Sequence, residues 1–382
     1  MIYIFWAILM IGMAFLTVIG KKFNIIPIVT QLLLSILLLP IINYSVFPLL
    51  NIGLSDFLND GIVKSIYIFN FALLFGYILS DVIDLKYESK VLKISIPSFF
   101  IPFIAGFILS YFFFSHNLLT DMAIGLLCAI TAVPVLFIFL KNFNYDKHRT
   151  KLLIQVAIVI DILAWSILAI AKSSTHIENL IIVLLVGLTP FLLNFIVKNQ
   201  KIYSIVFFSS IILMEVLKLN SMLFGITFIL SMAYLNIKFI LPIKKESFIL
   251  YQNYFAVPYI LIYGIIQVNY SNFNVDNIWI LVSFIILPII SKLLGNWIGF
   301  IWAEKELPTK QKIKESFLLN TRGLTEIVFL NMLFQQNIIN QEVYIACMLM
   351  GLISTLIPLF ITNKEKDSQV ISSAEPPVKL NL

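Results

Sequence analysis

Five ionisable side chains stand inside apolar runs long enough to cross a bilayer: Asp161, Glu215, Lys292, Arg322 and Glu326. Such a group in hydrocarbon is costly unless it faces a partner or a water-filled cavity, so each marks a candidate ion or proton path. Asp161 carries the most information. It sits mid-way along the run from Leu152 to Ala171, with no charged residue beside it in that run. With a helical rise of ~1.5 Å per residue, Asp161 and Lys292 both lie roughly 13 Å above the inner edge of their spans, with Arg322 at nearly the same height. Opposite charges at matched depth neutralise one another in a low dielectric. A structural ion pair is the competing reading of Asp161 and Lys292. It is stronger for Arg322 and Glu326, which are four apart and can pair along one helix face. Glu215 lies near the outer end of a short span, where it reaches water.

Two spans break at this same depth. Thr131-Ala132-Val133-Pro134 interrupts one, because proline removes a backbone donor and clashes with the preceding turn. Asn320-Thr321-Arg322-Gly323 interrupts another with polar groups and glycine. Irregular backbone at mid-membrane is tolerated where its freed groups line a cavity or coordinate ions, and a matched pair of interrupted helices points to a transporter site.

The elements that position these groups follow from composition. Sixty percent of the 382 residues are hydrophobic, 12% are charged, and the mean hydropathy is +0.99. Apolar stretches recur from end to end and predict an all-α polytopic membrane protein of about thirteen helices. The expected spans are 2–19, 25–42, 60–82, 92–113, 120–140, 152–171, 178–197, 203–217, 221–240, 248–268, 277–301, 314–335 and 343–362. Spans five and twelve, which carry the breaks, are an odd number apart and run in opposite directions. Spans 1–6 and 8–13 thus read as an inverted repeat with two broken, crossing helices.

Basic residues test the count. With the N-terminus outside, 21 of the 26 Lys and Arg residues fall on the inner side, which favours N-out and C-in. The N-terminal apolar stretch precedes Lys21-Lys22, the reverse of a cleaved signal peptide, and reads as a retained span. The excess positive charge belongs to this asymmetry and implies no nucleic-acid partner. Residues 363–382 are polar, hold paired prolines and read as a disordered cytoplasmic tail. Cys128 and Cys347 lie in apolar runs and predict neither disulfide nor metal site. There is no nucleotide-binding loop, GxGD or HExxH pattern, and the three histidines fall in loops, so an ATP-driven pump and an intramembrane protease are disfavoured. The chain reads as no enzyme.

The motifs resemble those of the monovalent cation:proton antiporters of the second branch. Asn320-Thr321-Arg322-Gly323-Leu324-Thr325-Glu326, continued by Ile327 to Asn331, is similar to that family's asparagine–threonine–arginine–glycine–leucine–x–glutamate signature. Ile130-Thr131-Ala132-Val133-Pro134-Val135-Leu136 resembles its proline-containing break. Asp161-Ile162-Leu163-Ala164-Trp165 resembles the stretch at its ion-binding aspartate, and Ser291-Lys292-Leu293-Leu294-Gly295 the segment of its midplane lysine. Asn24 to Pro40 and Glu215 also follow the pattern.

The resemblance implies that Asp161 alternately holds a transported alkali cation or a proton, that Lys292 neutralises the site, and that Thr131 and nearby backbone supply further ligands. It implies that Pro134, Asn320, Thr321, Arg322, Gly323 and Glu326 support the broken-helix crossing. It also implies a homodimer in the plasma (cell inner) membrane, without cofactor. Spans within 1–90 and 203–268 would form a scaffold, those within 91–171 and 277–362 a mobile core, and 178–197 a linking helix. Three positions depart from the pattern. Ile160 stands where the family has aspartate or asparagine, Thr30-Gln31 replaces glycine–glutamate, and Ser80 or Asp81 stands for a late acidic residue. Without an acid at 160, Lys292 is expected to pair with Asp161 directly and to be displaced by the cation, giving electroneutral exchange. A transport-deficient sensor on the same scaffold, or an exporter of a small organic cation, are the alternative expectations.

Overall fold

The structure is a computed structural model that describes residues 2–22, 27–42, 57–58, 60–80, 89–113, 117–143, 145–173, 177–196, 199–217, 219, 221–241, 243–266 and 278–373. Every regular element among them is a helix. In chain order these are α1 (Ile2–Lys22), α2 (Pro27–Ile41), α3 (Gly61–Ser80), α4 (Ser89–Phe113), α5 (Leu118–Ala129), α6 (Val133–Asn142), α7 (Lys147–Ser173), α8 (Ile177–Gly187), α9 (Thr189–Ile196), α10 (Gln200–Val216) and α11 (Ser221–Tyr234). There follow α12 (Lys245–Tyr251), a π turn (Gln252–Ala256), α13 (Val257–Ile265), α14 (Ile278–Ala303), α15 (Thr309–Leu318), α16 (Leu324–Gln335) and α17 (Gln341–Ser373). Each expected span falls on one or two of these helices, and among the described residues six stretches are individually long and apolar enough to cross a membrane.

Helix starts follow side-chain chemistry. Asp60, Asn117, Asp146, Asn199 and Asn340 each accept hydrogen bonds from backbone amides of the first turn they precede. The outward faces carry large apolar side chains such as Ile11, Phe112, Phe195 and Trp279, as a lipid-facing surface requires.

The tightest packing joins α4 to α14, with α5, α7 and α17 gathered around them. Glycine makes it possible. A Cβ on Gly295 would come within 2.6 Å of the Pro97 carbonyl oxygen, and one on Gly299 within 2.7 Å of that of Ile94. These two glycines, four apart, let the helix backbones touch in the manner of small-residue membrane interfaces. Helices α1, α2, α3, α10, α11 and α13 pack largely among themselves, with α13 and α3 also touching α16, α11 touching α7 and α2 touching α17.

Three details differ from expectation. The span expected at 221–240 is helical only to Tyr234, where Asn236 adopts a positive φ of 55° and turns the chain. The stretch 178–197 breaks at Leu188, just before Pro190. The tail expected to lack structure from 363 instead continues α17 to Ser373; no proline interrupts it until Pro376. Residues 374–382 and Asp81 lie outside the described residues, as do the side chains of Ser80, Pro134 and Thr325.

Candidate functional site

Both breaks fall where the sequence places them, and they cross. The first separates α5 from α6 at Ile130–Ala132, with Pro134 in the first turn of α6, where its missing amide costs no helical bond. The second separates α15 from α16 at 319–323. The two non-helical segments are joined by a backbone bond from Ala132 N to the Thr321 carbonyl (2.9 Å) and by the Thr131 hydroxyl, which donates to the Leu319 carbonyl (3.1 Å).

A helix end leaves four carbonyls without intrahelical partners, and inside a membrane each needs a donor. At the end of α5 all four are met. Ile130 N donates to Leu126 O (3.1 Å). Arg322 Nη1 donates to Leu127 O and its Nη2 to Cys128 O (2.6 Å). Lys292 Nζ donates to Ala129 O. The negative end of the α5 dipole is thus capped by two cations. The end of α15 is met by neutral donors: Asn296 Nδ2 on Ser316 O (2.8 Å), Asn320 N on Phe317 O (3.1 Å), Thr321 N on Leu318 O (3.2 Å) and Thr131 on Leu319 O.

Lys292 makes a second bond, to Ser98 O (3.1 Å). That carbonyl lies four residues before Pro102, whose nitrogen carries no hydrogen, so α4 itself cannot satisfy it. The lysine supplies the missing donor. Consequently no ion pair within 4 Å joins Lys292 to Asp161, contrary to the direct pairing expected from Ile160; the ammonium is held by carbonyls of α4 and α5. Arg322 and Glu326 do pair, at 3.4 Å, both buried. Thr355 accepts from Arg322 N (3.3 Å) and donates to its carbonyl (2.8 Å), which ties the second break to α17.

Asp161 is 4% exposed, and no side-chain donor reaches either carboxylate oxygen. Its electrostatic neighbours are the Thr131 backbone N–H and, at longer range, Lys292. The side chains of Asn320 and Thr321 are buried without a hydrogen bond. An anionic oxygen pair facing a helix break, among uncharged oxygens, can bind a small cation or a proton. Among the described residues no cluster of His, Cys, Asp and Glu suits a resident metal. The structure therefore gathers Thr131, Arg322 and Lys292 around the two breaks and sets Asp161 beside the first. Glu215, near the end of α10, accepts from the Ser221 hydroxyl. Ile160 is fully buried, while Gln31 donates to Thr17 (3.3 Å) and to a carbonyl of the π turn, Asn253.

Sequence reading missed two buried acids. Asp121, in the first turn of α5, accepts from the Ser110 hydroxyl, and Glu315 is fully buried against Arg149. Both lie within apolar spans but near their ends, where exposure is the ordinary expectation; Asp121 gave no other signal, whereas the basic-rich loop before α7 hinted at a partner for Glu315.

No family model matches the chain. Over 312 residues it is 28% identical to the Na(+)/H(+) antiporter NhaS4 of Synechocystis sp., covering 71% of this chain and 74% of that one. Its fold is similar to that of the sodium proton antiporter MjNhaP1 from Methanocaldococcus jannaschii at pH 8, with a TM-score of 0.58 and 14% identity over 96% and 97% of the two chains. Both are transporters rather than enzymes, and the likeness spans nearly the whole of a multi-pass helical membrane protein. The chain is thus similar in sequence to one sodium/proton antiporter and shares the fold of another, which is consistent with its resemblance to the monovalent cation:proton antiporters.

Proposed function

We propose that the chain exchanges a monovalent cation, Na+ or K+, for protons across a membrane by alternating access. The observation that carries this reading is Asp161, a buried carboxylate that no side-chain donor reaches, facing the Thr131 backbone N–H beside the crossing of two interrupted helices. Ionised, it holds the cation together with oxygens of the crossing, Thr131 among them. Protonated, it releases it. Lys292 and Arg322 stay on the α5 carbonyls in both states, so Asp161 alone trades partners and one proton replaces one monovalent cation, which is electroneutral. The printed descriptions of the relatives, a Na(+)/H(+) antiporter and a sodium proton antiporter, support the reading.

In this proposal residues 91–171 and 277–362 move as a core against a scaffold formed by 1–90 and 203–268, with 178–197 linking them and the scaffold mediating a homodimer. The protein is placed in the plasma membrane, and the excess of basic residues on one side supports an N-terminus outside and a C-terminus in the cytoplasm. The test is exchange in proteoliposomes: addition of Na+ or K+ dissipates an imposed pH gradient with wild-type protein and not with Asp161→Asn. Exchange that persists in the variant refutes the assignment, and an alkali-metal series identifies the cation.

A second reading is favoured by Ile160 and Gln31, one apolar and the other engaged with Thr17 and the π turn, so neither adds a charge to the site. It is a sensor or accessory membrane protein on an antiporter scaffold that does not transport. Wild-type protein that leaves the pH gradient intact with every alkali cation supports it; dissipation by an organic cation alone supports an exporter.

A further inference from the structure

At the opposite end of the Asp161 helix a single guanidinium gathers several elements. Arg149, in the first turn of α7, donates through Nη1 to Glu304 (2.6 Å) just past the end of α14, and through Nε (2.9 Å) and Nη2 to both carboxylate oxygens of Glu315 on α15. Glu304 also faces Lys90 of α4 at 3.8 Å. Glu315, fully buried, accepts in addition from the Tyr145 hydroxyl (2.9 Å) and from Gln311 (3.1 Å). Lys314 lies over the Tyr145 ring at 5.5 Å, and Asp146 caps α7 at Arg149 N (3.0 Å).

The spacing is informative. Arg149 precedes Asp161 by twelve residues, and Glu304 follows Lys292 by twelve, so each half of the clasp stands ~18 Å along its own helix from the site. Glu315 lies five residues before Asn320, at the second break. One side chain thus ties the inner ends of the helices that carry Asp161, Lys292 and the Asn320–Gly323 break. A bidentate guanidinium–carboxylate pair fixes direction as well as distance, and a buried one is not screened as a surface pair is.

We propose that Arg149 is a positioning residue for exchange: through Glu304 and Glu315 it sets the height of Asp161 against Lys292 and the second break. The inference rests on the exchange function proposed above. Without the clasp α7 slides along its axis relative to α14, and the distance from Asp161 to the Lys292 ammonium changes. That distance governs how strongly Asp161 competes for a cation and for a proton. Loss of the clasp therefore moves affinity and pH profile together, whereas loss of mere structural support lowers only the amount of active protein.

The experiment uses the full chain in proteoliposomes, with exchange rates measured against Na+ or K+ concentration and against pH. The variants are Arg149→Gln, Arg149→Lys, Glu304→Gln and Glu315→Gln, with the exposed neighbour Lys151→Gln as control. Arg149→Gln is expected to change the cation KM about fivefold or more and to shift the pH midpoint in the same preparation. Arg149→Lys, a point charge that reaches one acid at a time, falls between it and wild type. Lys151→Gln matches wild type. Glu304→Gln frees only the α14 arm and decides the matter should Arg149→Gln fail to fold. Variants with wild-type KM and pH midpoint, differing only in maximal rate, overturn the clasp while leaving the exchange function standing. Wild-type protein without exchange overturns the proposed function, and the clasp with it.

Discussion

Replacing Gly295 by alanine tests the packing on which the Lys292 position depends. The added Cβ would meet the Pro97 carbonyl oxygen at 2.6 Å and Pro102 Cδ at 3.3 Å. The first neighbour is backbone within a helix and has no rotamer by which to move aside. An ordinary contact is restored only when α14 and α4 separate by roughly 0.6–0.8 Å. Lys292 is one turn away on α14, and its bond to Ser98 O is 3.1 Å; the same displacement stretches it to about 3.8 Å, beyond hydrogen-bond range. Overpacking costs about 1–3 kcal/mol, and the weakened charge-assisted bond about 1.5–3 kcal/mol more unless the lysine follows Ser98. Gly295→Ala is therefore expected to melt several degrees below wild type in detergent and to alter cation KM in the flux assay. Gly61→Ala, whose Cβ would have no atom within 4 Å, is the control and melts with wild type. A Gly295→Ala protein with wild-type melting and wild-type KM would show that α4 and α14 are not held in backbone contact at Gly295.

Three further outcomes are expected. Arg322→Gln leaves Glu326 buried without its cation and unseats the carbonyls of Leu127 and Cys128; a loss of about 3–5 kcal/mol is expected, read as failure to give monodisperse protein, with Arg322→Gln/Glu326→Gln recovering in part. Thr131→Ser keeps the hydroxyl bond to Leu319 O and retains exchange, whereas Thr131→Val loses the bond and lowers the exchange rate; equal rates in the two would remove the hydroxyl from the site. Tyr344→Phe deletes one of the two bonds holding the Asn331 amide, the other being Asn331 to Ile260 O (3.1 Å), and costs about 0.5–1.5 kcal/mol in a thermal melt.

The helical membrane fold and both breaks were legible because a proline, a glycine or a charge inside an apolar run violates a strong rule. Asp161 is conspicuous for the same reason. The partners of Lys292 were not legible, since the sequence says nothing of which carbonyl a distant lysine will reach. Pro102 held a clue, as any proline within a helix leaves a carbonyl in want of a donor, but only geometry joins that carbonyl to a residue 194 positions away. Charge matching at equal depth suggested Asp161 for Lys292. The backbone won because a helix end concentrates several carbonyl dipoles in one place. Glu315 and Asp121 escaped notice because depth counted along a helix does not report how neighbouring helices cover its ends.

The capping of α5 by Lys292 and Arg322 bears on how such a protein can diversify. Carbonyl oxygens are the same whatever residue bears them, so Leu127, Cys128 and Ala129 are free to drift in side chain while both cations keep their anchorage. An acid beside Asp161 is then dispensable for seating the lysine, and an aliphatic neighbour such as Ile160 becomes an admissible variation. Lineages built on this frame can vary the surroundings of Asp161 without first rebuilding the joint that holds it.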